Sequence, residues 1–473
     1  MKTKLLSLRL AILVIVIFFS ATNLAVGSHG SGMELSYTHL TGGTYHFKFV
    51  IYKECFTNWS LQAVMMSVNS VSCGVSTSAQ LQSMQVTGTN ITLICPGSIP
   101  YCYGGTAPGF EKWVYEGDVV LSGQCPDWTF SITDCCRSAI ITTLNSATSE
   151  SEYTVARLNN LNGDNNSPQF TNDIFPYIPL GQNFHYNHGM FDPDGDSLVY
   201  NLVCARSSPN NCVNYSPGYS ALQPISSAPP ITFDAFTGDL VVNPTALEVG
   251  VIAFEIQDYR NGELMGSVMR DVVIWPLPMN LDNPTLTGMN GTSQQIAYVF
   301  PDDTICFDIF SNDTTPQDTL TMTWNQVIPG ATFTTVGTPH PTGTFCWTPT
   351  INDVRSQPYM FTSRIQDNAC ELNAGCVYSY YIYVTLDSSL VFMNASEPSG
   401  DSHLSIFPNP STGIFEIKSG EKISEINVFD SFGKYILKSR TARINLSGQR
   451  EGIYFAEVLM HDGKMQYHKI IRQ

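Results

Sequence analysis

Three carboxylates fall within five residues of the stretch FDPDGDSLVY, Phe191 to Tyr200: Asp192, Asp194 and Asp196. Acids at alternate positions repel one another unless solvent or a cation neutralises them, and hard oxygen ligands so placed suit calcium. The stretch is not an EF-hand loop, because the twelfth position counted from Asp192 is Val203, where a bidentate Glu is required. Asp-Pro-Asp-Gly is also a good turn, with proline preset at the second position and glycine free to take positive φ. A calcium ligand set and a plain turn therefore both stand as readings. His185 and His188 in FHYNHG invite a metal reading as well, but residues three apart in a strand face opposite sides and cannot chelate together. The sequence contains no His-Glu-x-x-His, Gly-x-Ser-x-Gly, P-loop or dinucleotide fingerprint. Cys135 followed by His185 lacks the local signature of a cysteine protease. A glycosidase pair assembled from distant acids leaves no motif and stays open, although sandwich units of about 100 residues are commonly binding or spacer modules.

The elements that must position such residues read as strands, with no long amphipathic helix. Lys2, Lys4 and Arg9 precede an apolar run from Leu10 to Phe19 and the small residues Ala25-Val26-Gly27, which predicts a secretory signal peptide over 1–27. No later stretch is long and apolar enough to span a bilayer, so no membrane span is expected after signal cleavage. A disulfide-rich β domain is expected over 28–160, opening on a hairpin in which Tyr45, Phe47, Phe49 and Ile51 alternate after the Thr41-Gly42-Gly43 turn. Thirteen cysteines in an exported chain imply disulfides, with one thiol left over. Cys55, Cys73, Cys95 and Cys102 are candidates in the first domain, where adjacent Cys135 and Cys136 leave the pairing ambiguous. Spacing suggests that Cys204 and Cys212 close a loop, that Cys306 and Cys346 staple two sheets, and that Cys370 and Cys376 close another loop.

NGDNNSPQF reads as a linker by composition over 161–171. Two sandwich units follow, at 172–280 and 281–387, and they repeat each other. FTGDLVVNPT leads to FEIQD, ending at Asp258, and PTGTFCWTPT leads to SRIQD, ending at Asp367. Trp113, Trp128, Trp324, Trp347, Tyr378, Tyr380 and Tyr381 could line a sugar-stacking face, but in alternating strands such residues more often form core. A second linker, 388–402, precedes a cysteine-free end at 403–473 with six or seven short strands. Charge changes there too. Residues 28–402 hold ten basic against thirty-three acidic side chains, whereas 403–473 hold ten against seven. Strong acidity in the body argues against a nucleic-acid partner.

The ending LSIFPNPSTGIFEI, then INVFDSFGKYIL, GIYFAEV and HKIIRQ, resembles the type A C-terminal sorting domain of the type IX secretion system of Bacteroidetes-type bacteria. Pro408, Asn409, Pro410, Gly413, Gly452, Tyr454 and Lys469 match its motifs. The resemblance implies recognition by the type IX translocon, and a cargo that is secreted or held on the outer cell surface, in some cases through lipopolysaccharide. FDPDGDSLVY in turn resembles a cadherin-type calcium segment. That likeness implies Glu248 in LEVG, Asp258 in IQD and the Asp164 region as further ligand positions. The triplets Asp196-Ser197-Leu198, Asp303-Thr304-Ile305 and Asp318-Thr319-Leu320 resemble sites that carry O-linked glycans in exported proteins of such bacteria.

The expectation is an all-β, multidomain chain of immunoglobulin- or cadherin-like β-sandwiches with a small C-terminal sandwich. Its function is expected to be non-enzymatic and adhesive or structural outside the cell, with calcium as the one cofactor. The alternative is a carbohydrate-binding or carbohydrate-degrading secreted protein with a glycan ligand.

Overall fold

The computed structural model describes residues 30–55, 62–95, 97–106, 109–278, 282–315, 318–370, 372–387, 404–420, 422–430, 435–461 and 465–473. The expected signal peptide, 1–27, and the expected linker, 388–402, lie outside them. Among the described residues the architecture is all-β, with only single-turn 3-10 segments besides strands and turns. No helix among the described residues is long and apolar enough to cross a membrane. The chain divides into two compact units, Met1–Leu386 and Asp387–Gln473.

A twelve-stranded sheet dominates the first unit. Its hairpin Gly30–Thr41/Thr44–Glu54 buries Tyr45, Phe47, Phe49 and Ile51, the alternating set, against Phe130 and Trp128. Beyond Glu54 the order continues through Phe110–Val120, Val75–Ser83, Ala63–Ser70, Trp128–Asp134 and Glu152–Leu158. Here the structure departs from the expected borders. Glu263–Leu277 pairs with Glu152–Leu158, with Gly30–Thr41 and with Gly250–Arg260, so one sheet runs across the supposed 160/172 boundary. Glu263–Leu277 reads VMRDVVIW through its middle and is buried on both faces there, as suits an interior strand.

The segment 161–171 is no solvated linker. Beyond Glu34 the strand Gly30–Thr41 has an open edge, and polar side chains of this segment fill it. Ser167 Oγ accepts the Tyr37 N–H at 2.9 Å, Asn166 Oδ1 accepts the His39 N–H at 2.8 Å, and Gln169 donates to the Tyr37 carbonyl. Asn, Ser and Gln serve a strand edge as readily as they serve water, which is why composition alone misplaces them.

Residues 282–386 form two facing four-stranded sheets. One holds Ile305–Asn312 and Thr342–Trp347; the other holds Thr321–Trp324, Tyr359–Gln366 and Gly375–Val384. Phe307, Phe345, Phe361 and Tyr380 stack between them, with Phe345 and Phe361 at 4.4 Å. Trp113, Trp128, Trp347, Tyr378, Tyr380 and Tyr381 are buried, and Trp324 packs edge-on against Phe361, so these aromatics are core. This sandwich meets the preceding one through a polar seam in which Ser379 and Tyr381 hydroxyls reach Asp239 and Thr237.

Disulfides join Cys55 to Cys102, Cys73 to Cys125, Cys135 to Cys136, Cys204 to Cys212 and Cys306 to Cys346. Three expectations are corrected, the third being that Cys95 is a disulfide partner. Cys306 and Cys346 sit opposite each other on paired strands of one sheet, so their bond does not staple two sheets. Cys370 and Cys376 are not bonded together, because the Cys376 thiol points into the core while Cys370 lies exposed on the loop. Cys95 keeps its thiol, with Ser98 Oγ 3.2 Å from the sulfur.

The second unit is a three-stranded sheet facing a four-stranded one. Its strands are Ser405–Phe407, Ile414–Lys418, Ile423–Asp430, Tyr435–Ser439, Arg443–Asn445, Gly452–Met460 and Met465–Arg472. Alternate residues Phe415, Ile417, Ile426, Val428, Ala456 and Val458 form its core.

Candidate functional site

The acidic loop Phe191–Asp196 leads directly into the strand Ser197–Val203, which pairs antiparallel with Gly250–Arg260. Leu198 lies opposite Asp258. Carrying that register two residues outward sets Asp196 opposite Arg260, and strand periodicity puts Asp258 and Arg260 on one face. The sequence thus delivers three carboxylates and one guanidinium to one end of a strand pair. One oxygen from each of Asp192, Asp196 and Asp258 lies within 4.8 Å of the others.

The loop is at once a turn and an acid cluster. Asp192 Oδ1 accepts the N–H groups of Asp194 at 2.9 Å and Asp196 at 3.0 Å, and Gly195 takes φ +80°. Arg260 bridges Asp194 at 2.9 Å and Asp196 at 2.8 Å, and it also reaches the Asp164 carbonyl and Asn165. Asn166 donates to Asp194, and Asn165 Nδ2 donates to Asp258 Oδ2 at 2.6 Å. Two buried oxygens remain without a hydrogen-bond partner, Asp192 Oδ2 and Asp258 Oδ1. Burial first, and then the neighbouring carboxylates, push Asp192 up to about 6 and Asp258 up to about 7, against the hydrogen bonds they accept. Unpartnered buried oxygens on hard carboxylates are the donor chemistry that a calcium ion takes. Asp192 and Asp258 offer such oxygens; Asp194 and Asp196 are both paired with Arg260.

Glu248 does not join them. It accepts hydrogen bonds from Tyr219, from the Ser226 N–H and from Ser226 Oγ. The reason is length: Gly250–Arg260 is one strand, and the eight steps from Gly250 to Asp258 span roughly 26 Å at ~3.3 Å per residue. Asp164 contributes its backbone carbonyl to Arg260, and its carboxylate lies 3.5 Å from His39. His185 stacks on Tyr378, while His188 is buried against Arg270, so the two histidines are apart. Sequence reasoning missed Arg260, although its position two residues after Asp258 carried the signal.

Beside the loop lies a cleft of ≈ 520 Å³ lined by Asp194, Tyr200, Phe236, Arg355 and Tyr359 among others. Phe236 is 84% exposed, and the Arg355 guanidinium sits 3.6 Å from the centre of the Tyr359 ring. Asp353, also on the cleft, is held by the Thr350 N–H and hydroxyl and by the Tyr359 hydroxyl, which keep its carboxyl below the usual range despite burial.

In the second unit the sorting motifs, distant in sequence, meet in space. Pro408, Asn409 and Pro410 form the turn after Ser405–Phe407, and Asn409 Oδ1 accepts the Ile471 N–H at 2.8 Å. Ser411 binds the last strand through Ile471 and Gln473. At Gly413 φ is +129°, and a Cβ there would meet Ser447 at 2.7 Å, so only glycine fits. Gly452 opens the strand that pairs with the basic end, where Phe455 is opposite Lys469, and the Tyr454 hydroxyl donates to the Arg450 carbonyl at 2.6 Å.

Residues 405–473 match the family described as Secretion system C-terminal sorting domain. No curated protein matches the chain. Among solved structures, domains A168–A170 of titin are 10% identical, cover 65% of this chain and 99% of their own, and give a TM-score of 0.15. The N-terminal four Ig domains of Dscam1 isoform 6.44 are 10% identical over 93% of this chain and 99% of theirs, with a TM-score of 0.16. An endo-fucoidan hydrolase of glycoside hydrolase family 107 is 17% identical over 46% of this chain and 34% of its own, also at 0.16. Likeness at that level extends neither to arrangement nor to activity. The closing unit is a type IX secretion system C-terminal sorting domain, and the chain that carries it is an all-β protein sorted to the outside of the cell, secreted or on the outer surface.

Proposed function

We propose that the body ahead of the sorting domain is a non-enzymatic adhesive or structural protein of the cell exterior. The observation that supports this most is the continuous sheet from Gly30 to Leu277, cross-linked within itself by disulfides and by the buried ion pairs Arg270–Glu34 and Arg137–Asp271. Charges placed inside a sheet and matched there serve persistence of shape. Three of the four acids bordering the cleft fit the same reading, since Asp194, Asp196 and Asp353 are each engaged by a guanidinium, a backbone N–H or a hydroxyl, while Asp192 keeps one buried oxygen without a partner. Arg260, paired with Asp194 and Asp196, ties the acidic loop to the end of this strand pair. Deleting the gene's body while keeping its export signals should abolish attachment of cells to one another or to a surface. Turnover of any polysaccharide by the purified secreted chain would sink the reading.

A second reading, carbohydrate binding, is favoured by one observation: the solvent-facing Phe236 beside Tyr359 and Arg355 on the cleft. A glycan array with the secreted chain and with Phe236→Ala tests it. Saturable binding lost in the variant supports this reading, and binding indifferent to the variant rejects the cleft.

A further inference from the structure

The repeat seen in sequence has a second acid cluster, and its register matches the first. Thr321–Trp324 pairs antiparallel with Tyr359–Gln366, with Thr321 opposite Gln366. One residue further sets Leu320 opposite Asp367, as Leu198 is opposite Asp258 in the first unit. Two more set Asp318 opposite Ala369, where the first unit has Asp196 opposite Arg260. The two Asp-Ser/Thr-Leu triplets are thereby the same structural position. Asp313, just past the strand Ile305–Asn312, completes the group, and one oxygen from each of Asp313, Asp318 and Asp367 lies within 4.8 Å of the others.

What differs is the cation. The sequence reads IQDYR in one unit and IQDNA in the other, so alanine stands where the guanidinium would be. Among the described residues, none of Asp313, Asp318 and Asp367 forms an ion pair with Lys or Arg. Asp367 is 3% exposed and Asp313 7% exposed, and the Oδ2 atom of each is buried without a hydrogen-bond partner. Their Oδ1 atoms are already engaged: Asp313 by the Thr315 N–H, and Asp367 by the N–H groups of Ala369 and Ala374. A basic group acting on Asp313 is the His340 imidazole, whose own Nε2 is buried without a partner, and Asp282 acts in the opposite sense. Three carboxylates, two of them with an oxygen facing no donor, are poorly matched by one imidazole.

We propose that Asp313, Asp318 and Asp367 form a divalent-cation site of calcium type, in which a metal from solution replaces the guanidinium that Arg260 provides in the first unit. Calcium accepts carboxylate oxygens in a flexible coordination shell, whereas magnesium demands near-ideal octahedral geometry and keeps several waters, so a buried set of carboxylates suits calcium. The proposal does not depend on adhesion or on calcium at the first cluster.

The test uses the full secreted chain, stripped of metal with a chelator, and its Asp313→Asn, Asp367→Asn and Asp258→Asn variants. Bound calcium is measured by equilibrium dialysis, and melting is followed with calcium chloride or magnesium chloride added. The expected result is calcium-specific stabilisation of the wild type, with calcium affinity lowered at least tenfold and one equivalent lost in Asp313→Asn and in Asp367→Asn. Both substitutions are isosteric and remove charge, so the metal-free variants should melt at or above the metal-free wild type. The Asp258→Asn variant reports on the first cluster alone, so its outcome leaves this site untouched. Undiminished calcium binding in Asp313→Asn and Asp367→Asn, or a wild type that calcium does not stabilise, overturns the proposal.

Discussion

The two sandwich repeats place an acidic loop before the same strand pair and an aspartate at the same register, yet they balance the charge differently. In the first, Arg260 lies opposite Asp196 and bridges it to Asp194. In the second, the register carried outward from Thr321 and Gln366 sets Ala369 opposite Asp318, and Asp313 and Asp367 keep buried oxygens with no donor. A third solution sits in the large sheet. Both Glu152 oxygens are buried without a hydrogen-bond partner, and burial raises this carboxyl to about 8, so it holds a proton at neutral pH. A guanidinium at the first cluster and a raised carboxyl at Glu152 are two answers to the same electrostatic problem, and the calcium proposed for Asp313, Asp318 and Asp367 would be another.

The scale against which these solutions are measured comes from Arg270, fully buried with Glu34 and bonded to Tyr52 and Tyr186. Arg270→Ala should cost about 3–5 kcal/mol in urea unfolding, as removal of one partner of a buried pair does. A loss under about 1 kcal/mol would mean that stranded charge is cheap in this chain, and the contrast between the clusters would lose its energetic basis. Next comes Glu152. Its folded-state pKa is raised, so its contribution is fully present below the unfolded value and is lost as pH rises through about 8. Between pH 5 and pH 9 the wild type should therefore lose stability on the order of 3 kcal/mol relative to Glu152→Gln. Arg137, Asp271, Asp134 and Glu54 act on this carboxyl, the arginine opposing the shift and the acids reinforcing it. Parallel pH profiles of the two proteins would remove the proton from the scheme.

Arg260→Ala should destabilise the chelated protein by about 1–3 kcal/mol, discounted for a guanidinium that is partly exposed. The variant makes the first cluster resemble the second, so added calcium should restore much of that loss; no restoration would mean the two clusters differ in more than their cation. The smallest effect is at Asp367→Asn. It should gain about 1 kcal/mol over wild type in chelator and fall below wild type in calcium, a reversal of sign that a packing effect would not produce.

The strands of the sorting domain were legible because each buries one face and alternates cleanly, as Phe415 and Ile417 or Ile426 and Val428 do. The large sheet was not. The pairing of Ala156 with Val268 joins residues more than a hundred apart, and nothing local in either strand announces its partner. The segment around Asn165 and Ser167 looked like a linker because turn-forming side chains also cap open strand edges. At the site, the loop Asp192–Asp196 and Asp258 were legible from spacing and from the repeated IQD. Glu248 was misplaced because family likeness ignored the length of the strand between. Arg260 and the second cluster were within reach of the sequence: period two puts Arg260 beside Asp258, and the shared Asp-Ser/Thr-Leu triplets fix the register.

The most direct measurement is a crystal structure of the full secreted chain grown in calcium, with anomalous data collected at long wavelength. A calcium peak coordinated by Asp313, Asp318 and Asp367, accompanied by an intact Arg260–Asp196 pair in the first repeat, is the predicted result. A second repeat whose carboxylates contact only one another and water, in crystals with calcium in excess, would contradict it.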